Sequence, residues 1–324
     1  MKSAATLTPP LLDLEEARCQ VCGHSTGRVV YEGIDLEFET CRNRFMFVCC
    51  DECQNCYLKF RPRLTDIDII YRDYLTTNKK SAYHPSGLVA KIKTQIFDRR
   101  RISPILNHLR PGSNILDIGA GEGRFLKMIQ QISRKDSRFF ANEIAFHPLD
   151  KMRLEERGIV PIESCIENWQ TDLRFDVITG IHVIEHVWEP DAVFAWIGAH
   201  LKPGGLVYFE TPDADAFCAR LFKSKWGMTH FPRHINIFNK GGLKHLAEKN
   251  GLAVLRQGNT TSAPAWNMSI RNSAGLNALR KHASPFEIFN YSNLLTLSFF
   301  TVIDLFLLAA RVPTSTQTLV LTRE

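Results

Sequence analysis

Residues 114–126 read Asn-Ile-Leu-Asp-Ile-Gly-Ala-Gly-Glu-Gly-Arg-Phe-Leu, an apolar run that passes straight into glycines at 119, 121 and 123. Bare residues at alternate positions suit a bend that needs left-handed backbone or the close approach of a ligand. The run before the bend reads as a strand, and the amphipathic stretch after it reads as a helix. From there the apolar runs keep alternating with amphipathic ones. The pattern predicts strands near Asn114–Gly119, Arg138–Glu143, Ile159–Ile162, Phe175–Gly180, Gly205–Glu210, Ala253–Gln257 and Gln317–Thr322. Helices are expected over 123–132, 148–157, 191–201, 214–222 and 240–250. Such alternation gives an α/β fold, a doubly wound, mostly parallel seven-stranded Rossmann-like sheet with helices on both faces.

The 324 residues exceed one usual domain, and seven of the nine cysteines lie before residue 60. We read residues 1–63 as a separate metal-binding module, 64–110 as a linker and helical cap, and 111–324 as the large domain. Cys19-Gln-Val-Cys22 is followed by Gly23, and Cys53-Gln-Asn-Cys56 comes about thirty residues later. Two such pairs can set four thiolates tetrahedrally around Zn²⁺ and close a small unit that lacks its own core. Cys50 also stands three residues before Cys53, so Cys50/Cys53 is an alternative second pair, with Cys41, Cys49 and His24 as spare ligands. Four thiolates leave no open position, so the zinc is expected to be structural. Cysteines of this kind, with no export signal in view, point to a reducing, cytoplasmic setting.

The connector is expected to carry a short helix near Ile67–Tyr74, and a longer helical pattern runs from Val89 to Leu109 before Pro111-Gly112. The net charge of +6 is modest, and Arg99, Arg100 and Arg101 read as a solvated helix face. Nucleic acid is therefore not an expected partner. Residues 294–310 form an apolar run that contains Asp304 and falls short of the roughly 20 residues of a membrane span. The expectation is a helix inserted before the last strand and buried between the sheet and its partners or in a dimer seam, with contact to a greasy acceptor or a membrane surface as the other reading.

A glycine-rich turn alone fits many nucleotide folds. The dinucleotide pattern, however, needs glycine where Arg124 stands, and Asp117 sits poorly beside a pyrophosphate. A carboxylate there suits an ammonium group instead. S-adenosylmethionine has one, together with a carboxylate for the loop amides and a ribose diol that Glu143, at the end of the second strand, can bind. Asn142 and Ile144 fit the adjoining adenine wall.

ILDIGAGEGRFL, FANE and the long stretch FDVITGIHVIEHVWEPDAVFAWIGAHLKPGGLVYFETPDAD together resemble the class I methyltransferases, in particular the subgroup with an N-terminal zinc-binding module. CDECQNCYLKFRPR is similar to that module's second knuckle, with Tyr57 where the family has glycine. The resemblance implies cofactor contacts at Asp117, Gly119, Gly121 and Glu143, with Ile166 or its neighbours near adenine. Methyl transfer needs a base only where the acceptor must lose a proton, and histidine suits that role near neutral pH. The candidates are His182 and His186 after the fourth strand, and His230 and His234 in the segment Trp226–Phe238. That segment resembles a loop that carries a Glu-His base in sugar C-methyltransferases. Here Arg233 precedes His234, and it could instead bind an anion on the acceptor. We expect His234 as the first base and His182 as the second. The acceptor is expected to be a small molecule, O- or C-methylated, such as a sugar or glycan-linked precursor. The contrasting reading is a non-catalytic zinc-module binding protein with a vestigial pocket. A nucleic-acid methyltransferase is disfavoured, because Gly180-Ile-His-Val stands where a D/N-P-P-Y tetrapeptide would.

Overall fold

The computed structural model describes residues 9–72, 99–133, 136–276 and 284–324. The chain divides into two compact units, residues 1–83 with 214–237 and 261–315, and residues 84–213 with 238–260 and 316–324. The strands in chain order are β1 (Leu14–Glu16), β2 (Gly27–Ile34), β3 (Arg44–Cys50), β4 (Cys56–Leu58), β5 (Phe60–Pro62), β6 (Ser113–Ile118), β7 (Ser137–Glu143), β8 (Ile159–Glu163), β9 (Phe175–Ile181), β10 (Leu201–Pro212), β11 (Asn236–Ile237), β12 (Leu252–Thr260) and β13 (Thr316–Arg323).

The second unit is built on a seven-stranded sheet of order β12-β13-β10-β9-β6-β7-β8. Each of the seven strands expected from the sequence is present in it. β13 runs antiparallel to β10 and β12, while β6 pairs in parallel with β7 and β9. The chain leaves β6 for β7 on one side and later returns to β9 on the other, so β6 lies at the switch point where such sheets leave a crevice. The helix Arg124–Ser133 starts directly after Gly123 and buries Phe125, Leu126 and Ile129 on one face. These pack with Ile115, Phe139, Val177, Tyr208 and Val320 in one core. Each fully buried side chain of this kind stabilises by about 1.5–3 kcal/mol. Upstream, the helix Ser103–His108 has proline in its first turn and stops at extended Leu109. The earlier part of the Val89–Leu109 pattern, up to residue 98, lies outside the described residues, as does the end of the helix expected at 67–74, which is seen as Ile67–Tyr71.

The first unit reaches beyond an N-terminal module, because it also draws in two later segments. β11 pairs with β4 to complete an antiparallel sheet of order β11-β4-β3-β2, and β1 pairs with β5. The helices Phe217–Phe222, Ala263–Ser273 and Leu294–Ala309 belong to this unit. Within this chain the last of these is buried on one side only. One side packs Phe300 against Trp266 with ring centroids 5.2 Å apart, and Asp304 accepts hydrogen bonds from Trp266 Nε1 and Ser262 N at 2.8 and 2.5 Å. The other side leaves Leu295, Phe299 and Phe306 exposed. Among the described residues, no helix is long and apolar enough to cross a membrane.

Candidate functional site

The glycine bend sits at the end of β6. Gly119 has φ +63°, and a Cβ added there would lie 2.4 Å from Val183 Cγ2. Gly121 has φ +54°, and its missing Cβ would point into open space. A side chain is therefore excluded at 119 by contact and strained at 121 by backbone conformation alone. The bend is tied to the end of β7: Ala120 N donates to Asn142 O at 2.9 Å, and Gly121 N donates to Glu143 Oε2 at 3.0 Å. Asn142 in turn donates through Nδ2 to Ser164 O at 2.8 Å, fixing the end of β8, after which buried Ile166 follows in a short turn.

Asp117 is 2 % exposed. In the parallel register Thr179 of β9 lies beside it, and Thr179 Oγ1 donates to Asp117 Oδ1 at 2.7 Å. Burial pushes the Asp117 carboxyl up to about 7; the Thr179 hydroxyl opposes this, Glu143's charge adds to it and Arg101's opposes it. Burial also raises Glu143, against hydrogen bonds from the Gly121 and Ile144 amides. The two acids singled out from the sequence thus share one electrostatic environment.

At the end of β9, His182 takes φ +53° and donates its backbone N–H to Glu210 O at 2.8 Å. Its Nδ1 lies 3.0 Å from Oε1 of the fully buried Glu185, whose Oε2 accepts from Thr211 Oγ1 at 2.9 Å. Burial disfavours the His182 cation, yet the hydrogen bond and charge of Glu185, helped by Glu210, outweigh it and raise the imidazole above its usual range. Burial likewise works against the Glu185 charge, but His182 and His186 hold that carboxyl below its usual range. His186 closes the same turn, Ile184–His186.

Sequence reasoning missed Arg101 and Glu210. Arg101 Nε donates to Glu210 Oε1 at 2.6 Å, its Nη2 donates to Oε2, and Tyr208 OH donates to Oε1 at 2.5 Å. Glu210 is 2 % exposed. The arginine triplet is therefore not simply a solvated face: Arg99 is exposed, but Arg101 pairs with a buried carboxylate that cannot be left alone. An acid on the otherwise apolar β10, with arginines ahead of β6, was the available signal.

His234 and Arg233 belong to the first unit. His234 is buried, and its Nδ1 donates to Met228 O at 2.8 Å. Arg233 does not serve as an exposed anion binder. It is fully buried, donates to both carboxylate oxygens of Asp35 at 3.0 and 3.2 Å, and lies 4.3 Å from the centre of the Phe38 ring. A buried guanidinium needs such a partner, and Asp35 occupies it.

Among the thiols, the geometry favours Cys50/Cys53, the alternative second pair, over Cys53/Cys56. The Sγ atoms of Cys19, Cys22, Cys50 and Cys53 lie within 4.8 Å of one another. Cys56 instead forms a disulfide with Cys49, its partner in the β3–β4 register. Side chains alternate along β3, so Cys49 and Cys50 point to opposite faces and only one can join the cluster. The two knuckles match each other. Gly23 has φ +76° and donates to Cys19 O at 2.8 Å, while Gln54 has φ +57° and donates to Cys50 O at 3.0 Å. Gln54 thus occupies the left-handed position that glycine holds in the first knuckle, and Tyr57 is not the residue standing in for it. His24 bonds Thr26 Oγ1, and Cys41 is buried outside the cluster.

Residues 92–257, just over half of the chain, match the model of the family described as "Methyltransferase domain". A ubiquinone biosynthesis O-methyltransferase of Nitrosococcus oceani is 33% identical over 120 residues, covering 34% of this chain and 49% of the relative. The counterpart from Azotobacter vinelandii is 28% identical over 149 residues, covering 43% and 63%. The chain thus spans about half the length of the curated relatives it matches. In fold it is similar to a protein described as a sarcosine dimethylglycine methyltransferase from Galdieria sulphuraria, with TM-score 0.51, 16% identity and coverage of 79% and 98%. It is likewise similar to a Haemonchus contortus phosphoethanolamine N-methyltransferase, with TM-score 0.50, 13% identity and coverage of 83% and 62%. With the glycine bend, the two acids and the sheet order already in place, the chain belongs to the methyltransferase domain family.

Proposed function

We propose that the chain is an S-adenosylmethionine-dependent methyltransferase acting on a small molecule. One observation carries the reading: Asp117, buried behind the glycine bend, makes no ion pair among the described residues, and its carboxyl is held near neutrality for want of a cation. The ammonium of the methyl donor is a partner of the right charge, the glycine bend suits its carboxylate, and Glu143, which also holds the Gly121 amide, suits the ribose hydroxyls. Ile166 would lie along the adenine. The donor supplies a methyl carbon activated by a sulfonium leaving group, so the protein's main task is alignment.

Where the acceptor is a hydroxyl or an activated carbon, its proton must go to a base. His182 is our first candidate, because Glu185 fixes Nδ1 and leaves Nε2 as the accepting atom. His234 becomes the second, with Nδ1 likewise committed to a carbonyl, and His186 is placed to support Glu185. The relatives' name supports O-methylation, and a sugar or glycan-linked acceptor is the narrower reading. Cys19, Cys22, Cys50 and Cys53 would hold a structural Zn²⁺, since four thiolates fill a tetrahedral site. Calorimetry with S-adenosylmethionine tests the whole reading: micromolar binding that is lost in Asp117→Ala supports it. A folded protein that ignores the donor would leave the vestigial-pocket reading in its place.

A further inference from the structure

The first unit contains a cavity of ≈230 Å³ that the methyl-transfer reading does not use. This is the volume of roughly seven or eight waters, room for a small polar molecule. At its wall Glu37 is 9 % exposed, and its Oε2 lies 3.6 Å from His230 Nε2. Tyr291 OH donates to Glu37 Oε1 at 3.3 Å. The His230 ring is fixed by stacking on Phe38, with centroids 5.9 Å apart and planes 15° from parallel, and by a left-handed backbone at φ +37°. A bulky residue adopts that conformation only where its surroundings enforce it.

The cation behind this pair is already committed. Arg233 forks onto Asp35 and covers the other ring contact of Phe38. Burial pushes the Glu37 carboxyl up to about 7, Arg233's charge opposing and Asp35's adding. Near neutral pH this carboxyl can therefore either accept or donate a hydrogen bond. The cavity also carries cations at its exposed rim. Arg44 and Lys225 line it together with the carboxylate of Glu32; all three are exposed, and neither cation makes an ion pair among the described residues. Ser224 and Asn272 add neutral hydrogen-bonding groups to the lining.

We propose that this cavity is a binding site for a small anionic polyol, its phosphate or carboxylate held by Arg44 and Lys225 and its hydroxyls by the Glu37–His230 pair. The division of labour follows from the residues. A guanidinium and an ammonium in water attract an anion and gain little from a neutral group. Each carboxyl oxygen of Glu37 has more than one lone pair, so beside Tyr291 and His230 it can still accept from a ligand hydroxyl. The proposal does not depend on methyl transfer.

The test is calorimetry on the full chain with sn-glycerol 3-phosphate and D-glycerate as phosphate and carboxylate probes, and with glycerol as the neutral one. At least one anion is expected to bind about tenfold or more tighter than glycerol, a difference of about 1.4 kcal/mol. Lys225→Ala and Arg44→Ala, both exposed and neutral to the fold, are each expected to weaken it about tenfold, and His230→Asn to weaken it for all probes. A thermal unfolding transition like that of the wild type shows that the variants are folded, and needs no methyl donor, so this test stands apart from that of the methyl-transfer reading. Absence of binding by either anion at 10 mM would overturn the proposal (about tenfold beyond ordinary metabolite affinities). So would equal binding of glycerol, or anion binding unmoved by both cation variants.

Discussion

Asp117→Asn is the perturbation that bears most directly on the site, and its consequences can be worked out from the geometry. Asp117 is 2 % exposed, with Thr179 Oγ1 donating at 2.7 Å, and burial pushes its carboxyl up to about 7. At pH 6 about nine in ten such groups carry a proton, and an ammonium ligand must displace it. Each pH unit below 7 therefore costs about 1.4 kcal/mol, tenfold in Kd. Above about pH 8 the donor's own α-amino group loses its charge, so affinity should peak between pH 7 and 8. Between pH 7.5 and 5.5 the wild-type Kd should weaken roughly 25-fold, with about one proton released on binding at pH 6. Glu143 is raised too, so a Glu143→Gln background isolates the Asp117 contribution. Asparagine keeps the Thr179 bond but not the charge. It should cost about 1.5–3 kcal/mol at pH 7.5 and flatten the pH slope. The sign reverses for stability without ligand. A carboxyl raised from 3.8 to about 7 by folding favours the folded state when protonated, so the wild type loses stability as pH rises from about 4 through 7. That loss approaches about 4 kcal/mol, and Asp117→Asn escapes it. Calorimetry across pH in buffers of different ionisation enthalpy, with thermal unfolding at pH 5 and 8, reads both effects. A Kd independent of pH in the wild type, or a variant no more stable than the wild type at pH 8, would refute the reasoning.

Elemental analysis should find one zinc per chain; Cys50→Ser should lose it and Cys56→Ser should keep it, and the opposite pattern would restore the Cys53/Cys56 pairing. His182→Ala should lower kcat by about 10²–10⁴ while leaving donor affinity unchanged, as expected of a lost general base. Because Glu185 raises the His182 imidazole, activity should fall as pH drops through that raised value, and Glu185→Gln should move the acid limb to lower pH; an unmoved limb assigns it to another group. Arg101→Ala strips the cation from buried Glu210 and should cost about 2–3 kcal/mol in unfolding experiments. This is below the 3–5 kcal/mol of a fully buried pair because Arg101 is 31 % exposed, and the added change Glu210→Gln should recover part of it.

What the sequence made legible follows from local chemistry. The apolar run that ends in the glycine bend marks β6 and its helix within one window of sequence, and Asp117 and Glu143 fall within reach of each other's charge because parallel register places neighbouring strand ends side by side. What it hid depends on partners distant in the chain. Arg101 and Glu210 are 109 residues apart, and Arg233 and Asp35 are 198 apart. A charge read one window at a time looks solvated, because its partner is outside the window. The cysteine register was hidden for another reason. Both spacings were available to the chain, and the choice rests on which of two neighbouring residues in β3 faces the first knuckle and on a glutamine accepting the left-handed turn.

The ends of β6, β9 and β10 present three buried carboxylates, and the fold treats them differently. Glu210 receives Arg101, and its carboxyl is held low. Glu185 receives His182 and the Thr211 hydroxyl, and it too is held low. Among the described residues, the Asp117 side chain receives only the Thr179 hydroxyl, and its carboxyl is raised. Burial works against the charge of all three, and the two that are held low each face a basic side chain. Asp117 therefore carries a charge deficit that a visiting cation can fill, beside a bend where Gly121 keeps the space open. On this argument the ligand's positive group is recognised by a deficit built into the sheet, and supplying an internal cation should abolish donor binding while stabilising the empty protein. Thr179→Lys, which would reach Asp117 from the neighbouring strand, is the substitution that creates this condition.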